Sequence, residues 1–279
     1  MKPIVLYHDA CTDGFGAAWS FWTKYKDKYE YLAVRYGDTP PDVTGRDVYL
    51  VDFSYKREVV IELLLKANGV WFIDHHKTAI DDLEGLGDLY DNFYDHSNIE
   101  QSGAYLAWNF VHGRLVTTPS LILHIQDRDL WKFEIPNTRE VTAFLYSVPF
   151  NFNDWDNYAY SYAYHDSMVI AGKTLLAMQA KNIKTILNNG ITRITLDGYN
   201  VPCVNCPEFM KSDIGDILNK NELFSVTYFD TPGKRIYSLR SDKNSETSIN
   251  VGDIAKKMGG GGHDHAAGFM RPVFYTTIE

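Results

Sequence analysis

The chain has few cysteines, no long apolar run and no excess of positive charge, and each lack removes a class of protein. Only Cys11, Cys203 and Cys206 occur in 279 residues, which excludes a disulfide framework. No apolar stretch approaches the ~18 residues of a membrane span. At the N-terminus Ile4-Val5-Leu6-Tyr7 runs straight into His8-Asp9, too soon for a signal peptide. A reduced, cytoplasmic protein with no membrane partner is expected. Asp and Glu outnumber Lys and Arg by 36 to 27, a net charge of −9, whereas proteins that coat long nucleic acid without specificity are basic. Binding of nucleotide phosphates remains open, because bound cations can offset the acidic excess locally.

What is present suits a folded core. Hydrophobic residues make up 45% of the chain and aromatics 14%, far from the composition of a disordered protein. At about 150 residues per domain, the length predicts two domains. No internal repeat, low-complexity segment or Pro- or Gly-rich linker interrupts the sequence.

Three short apolar runs, Ile4–Tyr7, Val48–Val51 and Val70–Ile73, read as strands buried on both faces. A fourth, less apolar strand is expected at 31–34. Helical spacing over 14–25 and 56–67 alternates with them, which predicts a parallel sheet with helices on both faces. The middle reads as helical over 102–112, 119–131, 138–147 and 165–189. Beyond it, Asp197-Gly198 and Pro232-Gly233 mark two hairpins, and a helix is expected at 250–258. The architecture predicted is α/β: an N-terminal parallel-sheet domain over 1–160, a connecting helix over 161–190, and a smaller α+β domain over 191–279 across a cleft.

The chemistry gathers at the strand ends. The first strand runs into His8-Asp9 with Asp13 just beyond, the second into Asp52, and the third into Asp74-His75-His76. A single Asp after a strand is ordinarily a turn or a helix cap. Three adjacent strands ending this way bring carboxylates and imidazoles to the carboxyl edge, where parallel sheets hold ligands. Such a cluster repels itself without cations. Mixed carboxylate and imidazole donors suit Mn, Zn or Fe better than Ca.

These residues carry a resemblance to a known family. Ile73-Asp74-His75-His76 resembles the Asp-His-His signature of the DHH phosphoesterases. His8-Asp9-Ala10-Cys11-Thr12-Asp13-Gly14 is similar to that family's first motif, Val51-Asp52-Phe53-Ser54 to its second, and Asp127-Arg128-Asp129-Leu130-Trp131 to its fourth. Gly260-Gly261-Gly262-His263 with Ala266-Ala267-Gly268-Phe269 resembles the glycine-rich motif of the associated DHHA1 domain. Five motifs in order across nearly the whole chain make the likeness specific.

The resemblance implies two divalent metal ions, Mn2+ first and Mg2+ as the alternative, serving phosphoester hydrolysis. It makes Asp52 the bridging ligand, gives His75 and Asp127 to one metal, and His8, Asp9 and Asp13 to the other. Asp74 is then expected to orient a neighbouring histidine, and His76 to face the phosphate or assist proton transfer. The fourth motif leaves Asp127 and Asp129 open, with Asp127 favoured and Asp129 read as a group that supports a ligand from behind or pairs with an arginine. The first motif departs from the family's His followed by two Asp one residue apart, because Cys11 precedes Asp13. Either Asp9 substitutes, or one metal has fewer protein ligands. Cys11 as a thiolate ligand is a lesser alternative to a small residue in a tight turn.

In the second domain, Gly260, Gly261 and Gly262 are expected to let backbone amides approach an anion, with His263, Arg240 and Arg271 as substrate contacts. Ser102 reads as a helix N-cap. Cys203 and Cys206 have metal-like spacing but lack the second pair that structural zinc needs. The function expected is a phosphodiesterase acting on short single-stranded oligonucleotides, of exonuclease or nanoRNase type. The alternatives are a cyclic or linear dinucleotide or a nucleoside bisphosphate as substrate, and, outside enzymes, a nucleotide-binding regulator. Homodimerisation is a further implication of the family, with no sequence feature that decides it.

Overall fold

Alternating apolar side chains build the first sheet, and the helices between its strands cover it. The computed structural model describes residues 1–273, so the last six residues of the expected second domain lie outside it. The chain forms two compact units, Met1–Ala177 and Met178–Glu279.

In the first unit the strands are β1 (Ile4–His8), β2 (Glu30–Val34), β3 (Asp47–Val51), β4 (Gly69–Ile73) and β5 (Phe93–Asp95). Their spatial order is β2-β1-β3-β4-β5, and every neighbouring pair is parallel. The helices that follow are α1 (Thr12–Tyr25), α2 (Arg57–Leu64), α3 (Lys77–Leu83), α4 (Leu86–Leu89), α5 (Gly103–His112), α6 (Ser120–Asp129), α7 (Thr138–Ser147) and α8 (Phe152–Tyr160).

Successive side chains of a strand point to opposite faces. Ile4, Leu6, Val48, Leu50, Val70 and Phe72 pack on one side with Val60 and Leu63 of α2 and Leu83 of α3. Val5, Tyr49, Val51 and Ile73 pack on the other with Ala17 and Phe21 of α1 and Leu106 and Val111 of α5. Each such side chain, fully buried, contributes about 1.5–3 kcal/mol of apolar transfer. The two-faced burial explains why the three central strands read as unbroken apolar runs. A third cluster joins α1 to α6, α7 and α8, where Phe15 stacks on Phe152 at a ring separation of 4.7 Å. In this unit the sequence reading lacks the helices α3, α4 and α8 and the three-residue β5, a strand too short to show a period.

The 29-residue α9 (Tyr162–Gly190) follows, with the boundary between the units inside it. The second unit holds β6 (Thr192–Leu196), β7 (Tyr199–Asn205), α10 (Lys211–Leu218), β8 (Ser225–Thr231), β9 (Lys234–Arg240), α11 (Val251–Lys257), β10 (Gly261–His263) and β11 (Ala266–Pro272). Its sheet runs β10-β11-β9-β8-β7-β6, antiparallel except between β7 and β8. The β6–β7 turn places Asp197 at φ +49° and Gly198 at +86°, both left-handed as a two-residue hairpin turn requires. No helix among the described residues is long and apolar enough to cross a membrane.

Candidate metal centre

The strand order 2-1-3-4-5 reverses direction between β1 and β3, and ligands of open parallel sheets sit beyond the strand ends at that point. His8 closes β1, and Asp52 follows β3 directly. The His8 Nδ1 lies 3.8 Å from Asp52 Oδ2. On the other side, His75 Nε2 lies 3.3 Å from Asp52 Oδ1, 3.4 Å from Asp129 Oδ2 and 3.6 Å from Asp13 Oδ2. Two sets of donors therefore meet at one carboxylate. The first is His8, Cys11 and Asp52; the second is Asp13, His75 and Asp129; within each, the donor atoms all lie within 4.8 Å of one another.

Backbone features hold these side chains in place. Asp52 has a left-handed backbone, φ +50°, a costly state for a non-glycine residue that persists where the surroundings over-determine it. A Cβ on Gly103 would come within 2.4 Å of the Asp52 Cβ, so only glycine lets α5 approach. A Cβ on Gly14 would come within 2.4 Å of the His8 carbonyl oxygen. The amides of Gly103 and Ala104 donate to the two oxygens of Asp13 at 2.7 and 2.9 Å. The N-terminus of α5 thus fixes a carboxylate 90 residues upstream, with the helix dipole favouring its charge. Ser102 Oγ accepts from the Tyr105 amide and caps the same helix.

Asp74 is fully buried and ties down the Asp-His-His segment. Its Oδ1 lies 2.7 Å from His76 Nδ1 and accepts from the amides of His75 at 2.7 Å and His76 at 3.3 Å. Burial alone would raise its pKa. The charges of His76 and His75, with these hydrogen bonds, hold it down at about 2.

The other acids lack that support. Burial, then the nearby Asp13, Asp129 and Asp74, push Asp52 well above the ordinary carboxylate range. Burial and Asp13 raise Asp129 to about 6, against the opposing pull of His75. For His75 the three aspartates outweigh burial and raise its pKa. Burial, then Asp52, Asp13 and Asp129, push the Cys11 thiol up, opposed by the Gly14 amide. Asp52 Oδ1 is buried and accepts no hydrogen bond. A buried acceptor that makes no hydrogen bond, with three aspartates beside it and the His75 ring nitrogen 3.3 Å away, fits a bound cation. Oxygen and nitrogen donors at this spacing suit a divalent transition ion.

Two residues expected in the cluster are elsewhere. Asp9 receives Arg35 Nε at 2.6 Å at the outer end of β1, with a third of its side chain exposed. It points away because residue 9 alternates to the other side of the chain from His8. Asp127 accepts from the amides of Glu134 at 2.9 Å and Ile135 at 3.0 Å and from Thr138 Oγ1 at 2.6 Å. Its charge fastens the 130–137 loop to α6, and Asp129, two residues on, lies 3.4 Å from His75 Nε2 with Arg128 pulling against its raised pKa. Asp13 lies beside His75 rather than among the donors around His8.

The sequence reading also missed Tyr36, whose ring lies 5.3 Å from that of His8. Burial, then Asp74 and Asp52, raise its hydroxyl well above the usual range. A tyrosine after an edge strand carries no motif by which to find it.

In the second unit the glycines answer to packing. A Cβ on Gly260 would come within 2.0 Å of the Gly268 carbonyl oxygen, and one on Gly262 within 2.6 Å of that of Ala266. Gly261–His263 is itself the edge strand β10 rather than a loop. Arg240 donates to Ser238 Oγ, the Leu239 carbonyl and Ser212 Oγ, and Arg271 to the Met258 carbonyl. Cys203 and Cys206 are buried in separate apolar clusters.

No protein-family model matches the sequence. A protein of Acanthamoeba polyphaga mimivirus, itself uncharacterized, is 27% identical over 297 residues, spanning 95% of this chain and 66% of that protein. RecJ from Thermus thermophilus, solved with Mn2+, aligns with a TM-score of 0.52 at 15% identity over 96% of this chain and 49% of RecJ. The pGpG-specific phosphodiesterase PggH from Vibrio cholerae aligns with a TM-score of 0.49 at 15% identity over 98% of this chain and 94% of that one. The chain thus spans about half the length of RecJ, and the likeness to RecJ is one of fold.

Proposed function

We propose that this chain, which has the fold of the DHH phosphoesterases, is a metal-dependent phosphoric ester hydrolase acting on short single-stranded oligonucleotides, as an exonuclease or nanoRNase. The observation that carries the reading is the meeting of two donor sets at Asp52, a buried carboxylate whose Oδ1 accepts no hydrogen bond. RecJ, of the same fold, was solved with Mn2+, and Mn2+ is the ion proposed here, with Mg2+ as the alternative.

In this reading Asp13, His75 and Asp129 would hold one cation and His8 would help hold the other, with the Asp52 carboxylate between them available to both. A pair of divalent ions supplies a water activated near neutral pH and charge to offset the phosphate oxygens. The chain's own part is placement. The α5 amides hold Asp13, and Gly103 lets Asp52 sit between the donor sets. Asp74 engages His76 Nδ1, which fixes the ring and makes Nε2 the atom that exchanges a proton with the departing oxygen. Nucleotide binding in the second unit is assigned to Gly260, Gly261, Gly262 and His263. Arg240 and Arg271, occupied by internal acceptors, stand behind them as contacts. The acidic net charge favours a short substrate over a long strand.

Product analysis tests this directly. Labelled RNA and DNA from dinucleotide to long single strand, with cyclic dinucleotides and nucleoside bisphosphates, are incubated with Mn2+ and with chelator. Mononucleotide release from short linear strands, lost with chelator, is expected. Saturable nucleotide binding with no product from any substrate would identify a regulator instead.

A further inference from the structure

We propose that His8, Cys11 and Asp52 form a thiolate-containing cation position, which takes a borderline-soft ion such as Zn2+ or Co2+ in preference to Mg2+. The position at Asp13, His75 and Asp129 offers only oxygen and nitrogen. The two halves of the centre then differ in the ions they accept. This inference rests on the two-cation reading above and adds to it the chemistry of one position.

Three observations carry it. The Cys11 sulfur, a His8 ring nitrogen and an Asp52 oxygen lie within 4.8 Å of one another. Zn–S bonds are about 2.3 Å and Zn–N or Zn–O bonds about 2.0–2.2 Å, so small side-chain torsions bring all three onto one ion. The Asp52 carboxylate in this trio is buried, with Oδ2 3.8 Å from His8 Nδ1 and Oδ1, which accepts no hydrogen bond, turned toward His75 Nε2 at 3.3 Å. This marks the acid between the two positions as a ligand independently of the cysteine. Helix formation does not account for Cys11. It occupies the N-cap of α1, where Ser, Thr, Asp or Asn cap far better than a thiol.

Chemistry sets the preference. Thiolate selects borderline and soft ions, whereas Mg2+ favours oxygen ligands. On binding, the Cys11 thiol releases its proton to solvent as the sulfur–metal bond forms; no electron is transferred.

Cobalt reads the bond without reference to turnover. Bound Co2+ is expected to give a near-ultraviolet sulfur-to-cobalt charge-transfer band in the unaltered chain and in the double variant Cys203→Ser/Cys206→Ser. Cys11→Ser should abolish the band and weaken Zn2+ and Co2+ binding by at least the ~10–100-fold that losing an outer-shell partner costs. Alkylation of Cys11 by iodoacetamide, followed by mass spectrometry, should slow more than tenfold with Zn2+ and little with Mg2+. That readout needs no variant, so it decides the matter even if Cys11→Ser fails to fold.

Stoichiometric cobalt binding with no band, a band that survives Cys11→Ser, or alkylation unaffected by Zn2+ would each overturn the proposal. If Mn2+-dependent hydrolysis persists in that case, only the cysteine ligation falls. Absence of binding by any of these ions in calorimetry would remove the two-cation reading with it.

Discussion

Two carboxylates stand two residues apart at the end of α6, and they have opposite surroundings. Asp127 accepts from two backbone amides and a hydroxyl, and these pull its pKa below the ordinary value against the effect of burial. Asp129 faces Asp13 and His75, and burial with Asp13 raises its pKa to about 6. The same contrast runs through the first unit. Each has one buried oxygen without a hydrogen bond, but Asp74 is held down by His76, His75 and two amides on its other oxygen, whereas Asp52 has aspartates around it and is pushed up. A carboxylate surrounded by donors is already neutralised and serves the fold. One surrounded by other carboxylates costs stability until a cation arrives.

The largest effect should come from Asp52, the carboxylate that belongs to one donor set and lies 3.3 Å from His75 of the other. Asp52→Asn is expected to lower Mn2+-dependent hydrolysis by about 10³-fold or more, since metal-held charge stabilisation is worth several kcal/mol. Without metal, the same change should stabilise the fold by about 1 kcal/mol, because it removes a buried repelling charge. In the unaltered chain, metal at about 100 times its Kd should add about 2.7 kcal/mol, and in the variant much less. Chemical denaturation with and without Mn2+ measures both. A metal-free variant less stable than the parent would show that Asp52 is a structural acid after all.

Asp129→Asn and Asp127→Ala separate the neighbours. The first should weaken cation binding at least tenfold, by loss of a charged donor, and leave the melting temperature near that of the parent. The second leaves two half-buried amides and a buried hydroxyl short of an acceptor and should cost about 2 kcal/mol, with hydrolysis retained below the melting transition. Equal losses of metal affinity in both variants would erase the distinction between them.

Residue pattern alone made much of this legible. The apolar runs, the strand–helix alternation and the acidic strand ends were enough to place His8, Asp52, Asp74, His75 and His76 along one sheet edge, because where each strand ends and which side chains follow it depend on local sequence, whereas the order of the strands does not. The choice between Asp127 and Asp129 was not legible. It turns on the amides of Glu134 and Ile135, and so on the path of a loop that no period marks. The partners of Asp13 were equally hidden, since they come from α5, some 90 residues away. Ser102-Gly103 carried the signal of a helix start but not its second use, the close approach to Asp52. The Arg35 partner of Asp9 was hidden too, since motif spacing put Asp9 beside His8 and did not show that the next residue of a strand turns to the other side.

The donor-rich side of the comparison has its own pH signature. His124 Nδ1 lies 2.9 Å from Thr138 Oγ1, the hydroxyl that donates to Asp127. Burial, then the neighbouring His165, lower the His124 pKa to about 4, against the pull of Asp127. In the unfolded chain it is near 6.5. Between those values the unfolded state binds the extra proton, so stability rises with pH there and is lost as pH falls from about 6.5 to about 4. The loss is on the order of 3 kcal/mol at most. His124→Gln should flatten that limb of the stability curve while leaving metal affinity unchanged. An acid limb of unaltered slope in the variant would assign the loss to other groups.

The smallest effect is expected at Asp9, and it sharpens the rule because this acid has a partner and solvent as well. Its bond to Arg35 is largely exposed, and such pairs contribute ~0–1 kcal/mol. Asp9→Asn should therefore shift stability by less than about 0.5 kcal/mol and change Mn2+ affinity less than twofold. The sequence pattern would make Asp9 the natural replacement for an acid missing from the first motif. If Asp9→Asn instead cut metal affinity as deeply as Asp129→Asn, the Arg35 pair would have to open on binding, and having a donor would no longer distinguish a structural carboxylate from a metal ligand.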